Sequence, residues 1–167
     1  SIPRALRPFF AGLMLGGLAF LFPQVLGSGH GGIEVAVVGL TPWALLTGLL
    51  AAKLLASAVS VGSGLRGGLF SSSLYIGALL GALIGEIAQA FDPALGRELI
   101  TFTMVGMGAV GAAVVGAPVT MILLVLELTA SYSITIGVIV AVLLASFGVR
   151  RWFGYSFSTW RFHQRGL

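Results

Sequence analysis

A glycine-dense loop leads directly into a long apolar segment over Gly64–Gly85, with the sequence GLRGGLFSSSLYIGALLGALIG. Three of its glycines, Gly64, Gly67 and Gly68, are expected to let the backbone take positive φ and approach another group closely. A helix that starts after Gly68 carries N–H donors without intrahelical partners at the positive end of its dipole. The segment therefore predicts an anion site at a helix N-terminus, with a tight turn between crossing helices as the alternative.

The composition places this segment in a membrane. Of 167 residues, 57% are hydrophobic and 8% are charged, and the mean hydropathy is +1.07, whereas soluble domains carry roughly 25% charged residues. Apolar stretches, several near the ~20 residues that span a bilayer, alternate with short breaks. The 25 glycines favour closely packed helices. We expect an all-α, multi-pass integral membrane protein with one membrane domain over residues 1–167.

The net charge of +4 comes largely from arginines near the two ends of the chain. This clustering follows the positive-inside rule and predicts a cytoplasmic carboxy terminus. Nucleic-acid binding is disfavoured because no basic stripe alternates with aromatic residues. The absence of cysteine excludes disulfides and thiol catalysis, and two histidines offer little for a metal site, so His30 is expected to be a loop residue.

The pattern also predicts that two helices, Val119–Leu128 and Tyr155–Gln164, span only about half the membrane thickness, near 15 Å each. Such helices must end inside protein or in a water-filled cavity, because free backbone groups cannot face lipid. This arrangement indicates a transporter-like interior. Glu34–Leu40 is too short to cross and is expected to be re-entrant or at the surface. The predicted helical segments are Ala5–Val25, Trp43–Val61, Leu69–Ala90, Leu99–Val115, Val119–Leu128, Ile134–Val149 and Tyr155–Gln164.

The first residues after the glycine loop are the candidate anion ligands. Leu69 and Phe70 would offer backbone N–H groups, which suit a halide because they supply partial positive charge without a fixed cation. The following serines, Ser71, Ser72 and Ser73, would add hydroxyl donors or cap the helix. Arg66 would either steer anions toward the loop or anchor the loop at the membrane surface.

Three other polar residues lie in or beside apolar helices. Glu127 is expected to have a structural or interfacial role, because it lies close to the polar turn that begins at Thr129. Lys53 would snorkel, cap a helix end or pair with a carboxylate. Tyr155, judged from the residues alone, is typical of an interfacial aromatic belt.

Three segments, taken in order, resemble the carboxy-terminal membrane portion of the chloride channel and chloride/proton antiporter (CLC) family. GSGLRGGLFSSSLYIGALLGALIGE is similar to the family's GxFxP segment and the helix after it. FTMVGMGAVGAAVVGAPVTMILLVLELT resembles the next helix pair, including its Gly-Ala-Pro break. GYSFSTWRFHQRG is similar to the last membrane helix, which begins with an anion-coordinating tyrosine.

The resemblance implies roles for particular residues. The amides of Leu69 and Phe70 and the hydroxyl of Tyr155 would bind one central chloride, and Glu127 matches a helix-end glutamate that is not the gate. Chloride would be the substrate, with no cofactor and no catalytic residue, and the protein would form a homodimer in the bacterial inner membrane. The candidate contributors around the anion loop are Arg66, Gly67, Gly68 and Ser71.

Two departures from the family pattern limit what the resemblance implies. Ser72 replaces the proline of GxFxP, which weakens any inference about selectivity. The chain also resembles only the later portion of the second half of the fold, so the amino-terminal half would be a required partner. The family's GSGIP loop, its gating GxEGP segment and its internal proton glutamate have no counterpart here, and we expect no CBS domain. A channel and an antiporter therefore both stay open, as do a fluoride or nitrate transporter and a structural or dimerising fragment.

Overall fold

The computed structural model describes residues 7–25, 42–64 and 68–158, and these ranges form helices connected by short turns without β-strands. The predicted all-α class is confirmed. Residues 157–158 are also helical, and two short 3-10 helices cover Pro23–Val25 and Pro93–Glu98. The α-helices within these ranges are α1 Arg7–Leu21, α2 Trp43–Gly62, α3 Leu69–Phe91, α4 Leu99–Val115, α5 Pro118–Thr129 and α6 Tyr132–Phe153.

Within the described ranges, α2, α3 and α6 are long and apolar enough to cross a membrane, with 20, 23 and 22 residues. The first predicted span, Ala5–Val25, is wrong at its end, because α1 ends at Leu21; its predicted start lies outside the described residues. Pro23 has no N–H to continue the helical hydrogen bonds, and the chain turns into a 3-10 helix there. Helix α5 has 12 residues, which confirms one predicted half-length helix.

The turns between the later helices have local causes. The Asp92 carboxylate accepts a hydrogen bond from the Ala94 amide at 2.9 Å and caps the 3-10 helix before α4. The predicted polar turn over residues 129–133 is wrong in length, because α6 already begins at Tyr132. The Ser131 carbonyl accepts hydrogen bonds from both the amide and the hydroxyl of Thr135, and these bonds close the first helical turn.

Helices α3 and α4 run antiparallel and pack backbone against backbone. A Cβ added at Gly81 would overlap the Phe102 carbonyl oxygen, and one added at Gly106 would overlap the Gly77 carbonyl oxygen. Only glycine permits this approach, which confirms the close glycine packing expected from the composition. The antiparallel arrangement places the start of α3 beside the end of α4, where the predicted anion loop lies.

The opposite face of α4 packs against α5 and α6. Its core contains Met107 from α4, Met121 and Val125 from α5, and Val138 and Val142 from α6, all of them buried. On the α3 side of α4, next to Gly81, the buried Thr103 hydroxyl donates to the Leu99 carbonyl at 2.8 Å, so this polar group is satisfied within its own helix. Helix α4 is therefore held on both faces.

Candidate functional site

The glycine loop meets α3 at Gly68, where the structure corrects one expectation. Gly64 has a positive φ of 83°, as predicted. Gly68 is the N-cap residue of α3 with φ −71°, which any residue can adopt, and a Cβ there would have nothing within 4 Å. The glycine at this position is therefore required neither by backbone conformation nor by contact with the described residues. Arg66 and Gly67 lie outside the described residues.

The first turn of α3 begins at the two candidate ligands, Leu69 and Phe70, as the sequence predicts. No side-chain cap hydrogen bond is formed at Gly68 within the described chain. The Ser73 hydroxyl donates to the Phe70 carbonyl at 2.7 Å, so its proton is used inside the helix and neither caps it nor points to an anion. Ser71 is half-buried.

Leu69 lines a groove of about 440 Å³ between α2 and α3. Ser57 and Ser72 contribute hydroxyl groups to its wall, which is otherwise mostly apolar. Val114 near the end of α4 and Phe157 complete the groove on the far side. This groove lies beside the first turns of α3.

Tyr155 lies just after α6, next to Gly154, whose φ is +78°. The sequence predicted that Tyr155 begins the last helix. In the structure, Tyr155 precedes the helical residues 157–158 and does not begin the helix itself. Its side chain is 47% exposed and lines two grooves, of about 310 and 460 Å³. The first groove also contains Arg150, Ser146 and Ser156, and is the more polar of the two.

Two of the predicted ligands, Leu69 and Tyr155, line neighbouring grooves, and Phe70 does not. Val114 and Phe157 line both the groove of Leu69 and the larger groove of Tyr155, so the two grooves are neighbours with common walls. Phe70, 40% exposed, lines neither groove. A single ion contacted by Leu69, Phe70 and Tyr155 stays a prediction.

Two serines after Tyr155 contact the break between α4 and α5, which the sequence analysis did not foresee. The Ser158 hydroxyl donates to the Val115 carbonyl at 2.6 Å, and the Ser156 and Ser158 hydroxyls lie 3.2 Å apart. Gly116, in the break, has φ +79° and faces the Ser156 side chain. The Gly-Ala-Pro motif was a signal for the break, but no local pattern identifies its partner.

Lys53 forms a second polar corner, away from Tyr155. Its side chain is 4% exposed, and its ammonium donates to the Val25 carbonyl at 2.8 Å and lies 5.2 Å from the centre of the Tyr75 ring. Of the three predicted roles, this contact supports capping of a helix end, because Val25 ends a 3-10 helix. A cavity of about 170 Å³ beside Lys53 is also lined by the serines Ser57, Ser60 and Ser72.

The remaining candidates do not join these grooves. Glu127 is exposed near the end of α5, and its structural or interfacial role stays a prediction. His30 lies outside the described residues. Among the residues that the structure describes, no group of three His, Asp or Glu side chains is placed to hold a metal ion.

Comparisons with known proteins agree with the motifs. The family described as voltage gated chloride channel matches residues 1–150, a range that includes Leu69 and Phe70 and ends before Tyr155. An H(+)/Cl(-) exchange transporter ClcA of Yersinia pestis bv. Antiqua (strain Angola) is 38% identical over 81% of the chain and 28% of its own length. A voltage-gated ClC-type chloride channel ClcB of Salmonella dublin is 32% identical over 81% of the chain and 32% of its own length.

A ClcB-like protein of Ralstonia nicotianae is 35% identical over 84% of the chain and 33% of its own length. The chain thus spans about a third of the length of the curated relatives that it matches.

Proposed function

The chain belongs to the voltage-gated chloride channel family, and on this premise we propose that it forms part of a chloride transport pathway. The protein is an integral membrane protein, and the pathway would operate as a channel or as a chloride/proton antiporter. One observation carries the proposal: the N-terminus of α3 and Tyr155 line neighbouring grooves that share Val114 and Phe157 as walls. This neighbourhood supports a common anion region, to which the amides at the start of α3 and the Tyr155 hydroxyl would contribute.

The proposed ion site uses the amides of Leu69 and Phe70 and the hydroxyl of Tyr155. Arg66, Gly67, Gly68 and Ser71 are the proposed contributors to the loop around it. Together the three ligands supply hydrogen-bond donors without a formal charge. Such a site binds a halide weakly enough to release it, as conduction requires.

We test the site with Tyr155→Phe in the protein as its gene encodes it. Loss of the hydroxyl should cost about 0.5–1.5 kcal/mol, because the amides remain. At 1.4 kcal/mol per decade, the chloride Kd measured by titration calorimetry should rise by roughly two- to tenfold. Tyr132→Phe is the matched control, since Tyr132 is 80% exposed at the far end of α6. An unchanged Kd in Tyr155→Phe would reject this ligand.

A crystallographic test examines all three ligands at once. Crystals soaked in bromide should show an anomalous peak near the Phe70 amide and the Tyr155 hydroxyl. A map with well-occupied bromide peaks only elsewhere would contradict the assignment. Competition of chloride binding by fluoride and by nitrate tests the alternative substrates on the same scaffold.

The 167-residue chain by itself is proposed not to conduct. Its relatives are about two and a half to three times as long, and an incomplete polar pathway that faces lipid is costly. Liposomes that contain only this chain should release chloride at the rate of protein-free liposomes. Saturable efflux would contradict this proposal and indicate a self-sufficient oligomer.

A dimerising role is the second candidate, favoured by an exposed apolar stripe on the outer surface of the α5–α6 hairpin. The proposed interface covers Val119–Leu126 and Ile134–Leu144. Each member of the stripe is at least 54% exposed, and their spacing places them along one side of each helix: Val119, Leu123, Ile136, Val140 and Leu144. In lipid such a stripe associates by close shape fit rather than by the hydrophobic effect.

Substitution with tryptophan tests the proposed dimer interface. Ile136→Trp should lower the yield of cross-linked dimer. Ile122 is half-buried against the core, so Leu123, 58% exposed, is the better probe on α5. Leu13→Trp, on the exposed side of α1, is the control. A dimer yield that is unchanged in both Ile136→Trp and Leu123→Trp would place the interface elsewhere.

The finer location is also a proposal. We place the protein in a bacterial inner membrane, because the named relatives are bacterial, with the carboxy terminus in the cytoplasm. Arg150 and Arg151 in the last turn of α6 support this orientation by the positive-inside rule. Accessibility of a cysteine introduced at Trp152, 83% exposed in the last turn of α6, to a membrane-impermeant reagent tests it: labelling in inverted vesicles but not in intact cells is expected.

A further inference from the structure

A hydrogen bond from Ser158 attaches the segment that carries Tyr155 to a distant part of the chain. The Ser158 hydroxyl donates to the Val115 carbonyl at 2.6 Å, a contact between residues 43 positions apart. Val115 is the last residue of α4, where carbonyl groups have no intrahelical donor. Ser158 therefore satisfies a helix-end acceptor while it fixes its own segment to the end of α4.

Gly116 makes a second contact of the same kind. Its φ of +79° is unfavourable for a residue with a side chain, and the space of its missing Cβ is filled by the Ser156 hydroxyl. Ser156 and Ser158 also lie within hydrogen-bond distance of each other, at 3.2 Å. Tyr155 is the immediate neighbour of one of these two serines, so both contacts restrict its backbone.

The end of α4 is a firm support for this attachment. One face of α4 packs against the backbone of α3, and the other packs against α5 and α6. Because α3 and α4 run antiparallel, the end of α4 lies beside the first turn of α3, where Leu69 begins. A segment fixed to Val115 and Gly116 is therefore fixed relative to the amides of Leu69 and Phe70.

We propose that Ser158 is a positioning residue, which holds the Tyr155 hydroxyl at the distance from the α3 amides that anion binding requires. The hydrogen bond to Val115 and the contact of Ser156 with Gly116 form one attachment, and Ser158 supplies its hydrogen-bond donor. This inference rests on the proposed role of Tyr155 as an anion ligand. It adds the device that sets the position of that ligand.

The test measures chloride affinity in a double-mutant cycle, with the protein as its gene encodes it in detergent. Ser158→Ala should raise the chloride Kd by about two- to tenfold and by no more than Tyr155→Phe does. Ser158→Thr keeps the hydroxyl and should restore the wild-type affinity. In the Tyr155→Phe background, Ser158→Ala should have no further effect, because the hydroxyl that it positions is already absent.

Thr129→Val is the matched control. Thr129 donates to the Val125 carbonyl at 2.8 Å near the other end of α5, roughly 16 Å along the helix from Pro118. This variant removes a hydroxyl-to-carbonyl bond at a helix end and should leave the chloride Kd unchanged. Thermal unfolding without chloride, measured for every variant, separates a loss of stability from a loss of affinity.

The outcomes distinguish this inference from the function on which it rests. A Kd unchanged in Tyr155→Phe overturns both the ligand assignment and the positioning role. A weaker Kd in Tyr155→Phe with an unchanged Kd in Ser158→Ala overturns the positioning role alone. An equal loss from Ser158→Ala in both backgrounds also overturns it, because Ser158 would then act independently of the Tyr155 hydroxyl.

Discussion

Helix α4 has glycine contacts on both of its faces, but the two faces meet different neighbours. On the α3 side, Gly106 lies against the backbone of Gly77 and Gly81. On the α5–α6 side, Gly108 lies against the side chains of Val138 and Val125. A backbone carbonyl in a helix can move only with the helix itself, whereas a valine methyl can shift or be removed. Glycine therefore fixes the spacing between α3 and α4 on one face of α4. On the face toward α5 and α6, the adjustable face, glycine contacts side chains that can shift.

The largest effect is expected from Gly81→Ala, which tests the backbone face. Its Cβ would overlap the Phe102 carbonyl oxygen, so α3 and α4 would have to separate along their length. The loss of unfolding free energy should reach or exceed about 3 kcal/mol, the upper range for overpacking. Denaturation in mixed SDS micelles, followed by tryptophan fluorescence, measures it.

Gly62, the last residue of α2, provides a control for this substitution. Gly62→Ala should be at least as stable as wild type, since a Cβ there has nothing within 4 Å and alanine favours helix. Wild-type stability of Gly81→Ala would show that the two helices are not held at this spacing.

A smaller effect is expected from Gly108→Ala on the adjustable face. The new Cβ would lie 2.8 Å from the Val138 Cγ1 atom and should cost about 1–3 kcal/mol. Val138→Ala in the same chain should recover part of this loss, with a coupling energy of about 0.5–3 kcal/mol in a double-mutant cycle. The same denaturation assay applies, and purely additive losses would contradict the proposed contact.

The smallest effect is expected from Gly137→Ala, also on the adjustable face. Its Cβ would lie 3.4 Å from the Val105 Cγ2 atom, at the edge of ordinary contact. Alanine restricts the unfolded chain and favours helix, so stability should rise by up to about 0.5–1 kcal/mol. A rise in the melting temperature in detergent is the expected result. A loss as large as that of Gly108→Ala would show that this face is as rigid as the α3 side.

Local patterns predicted most helix boundaries and missed what depends on distant partners. Helix α4 begins and ends at the predicted residues, Leu99 and Val115, because polar residues and a glycine bound the apolar run. Gly68 was expected to need positive φ, but the chain enters α3 through an extended conformation. Lys53 was correctly included as a helix-end cap among several roles, but its acceptor, Val25, lies 28 residues away.

The sequence by itself determined the membrane class, the all-α fold and the approximate helices, because apolar content and glycine or proline breaks act locally. It also identified the family through motifs that lie within continuous stretches. The tertiary structure decided which glycines meet backbone and which meet side chains, and that Leu69 and Tyr155 line neighbouring grooves. The hydrogen bond from Ser158 to the Val115 carbonyl is likewise visible only in the tertiary structure. Such contacts depend on how the helices pack in three dimensions, and a local pattern of a few residues does not determine that packing.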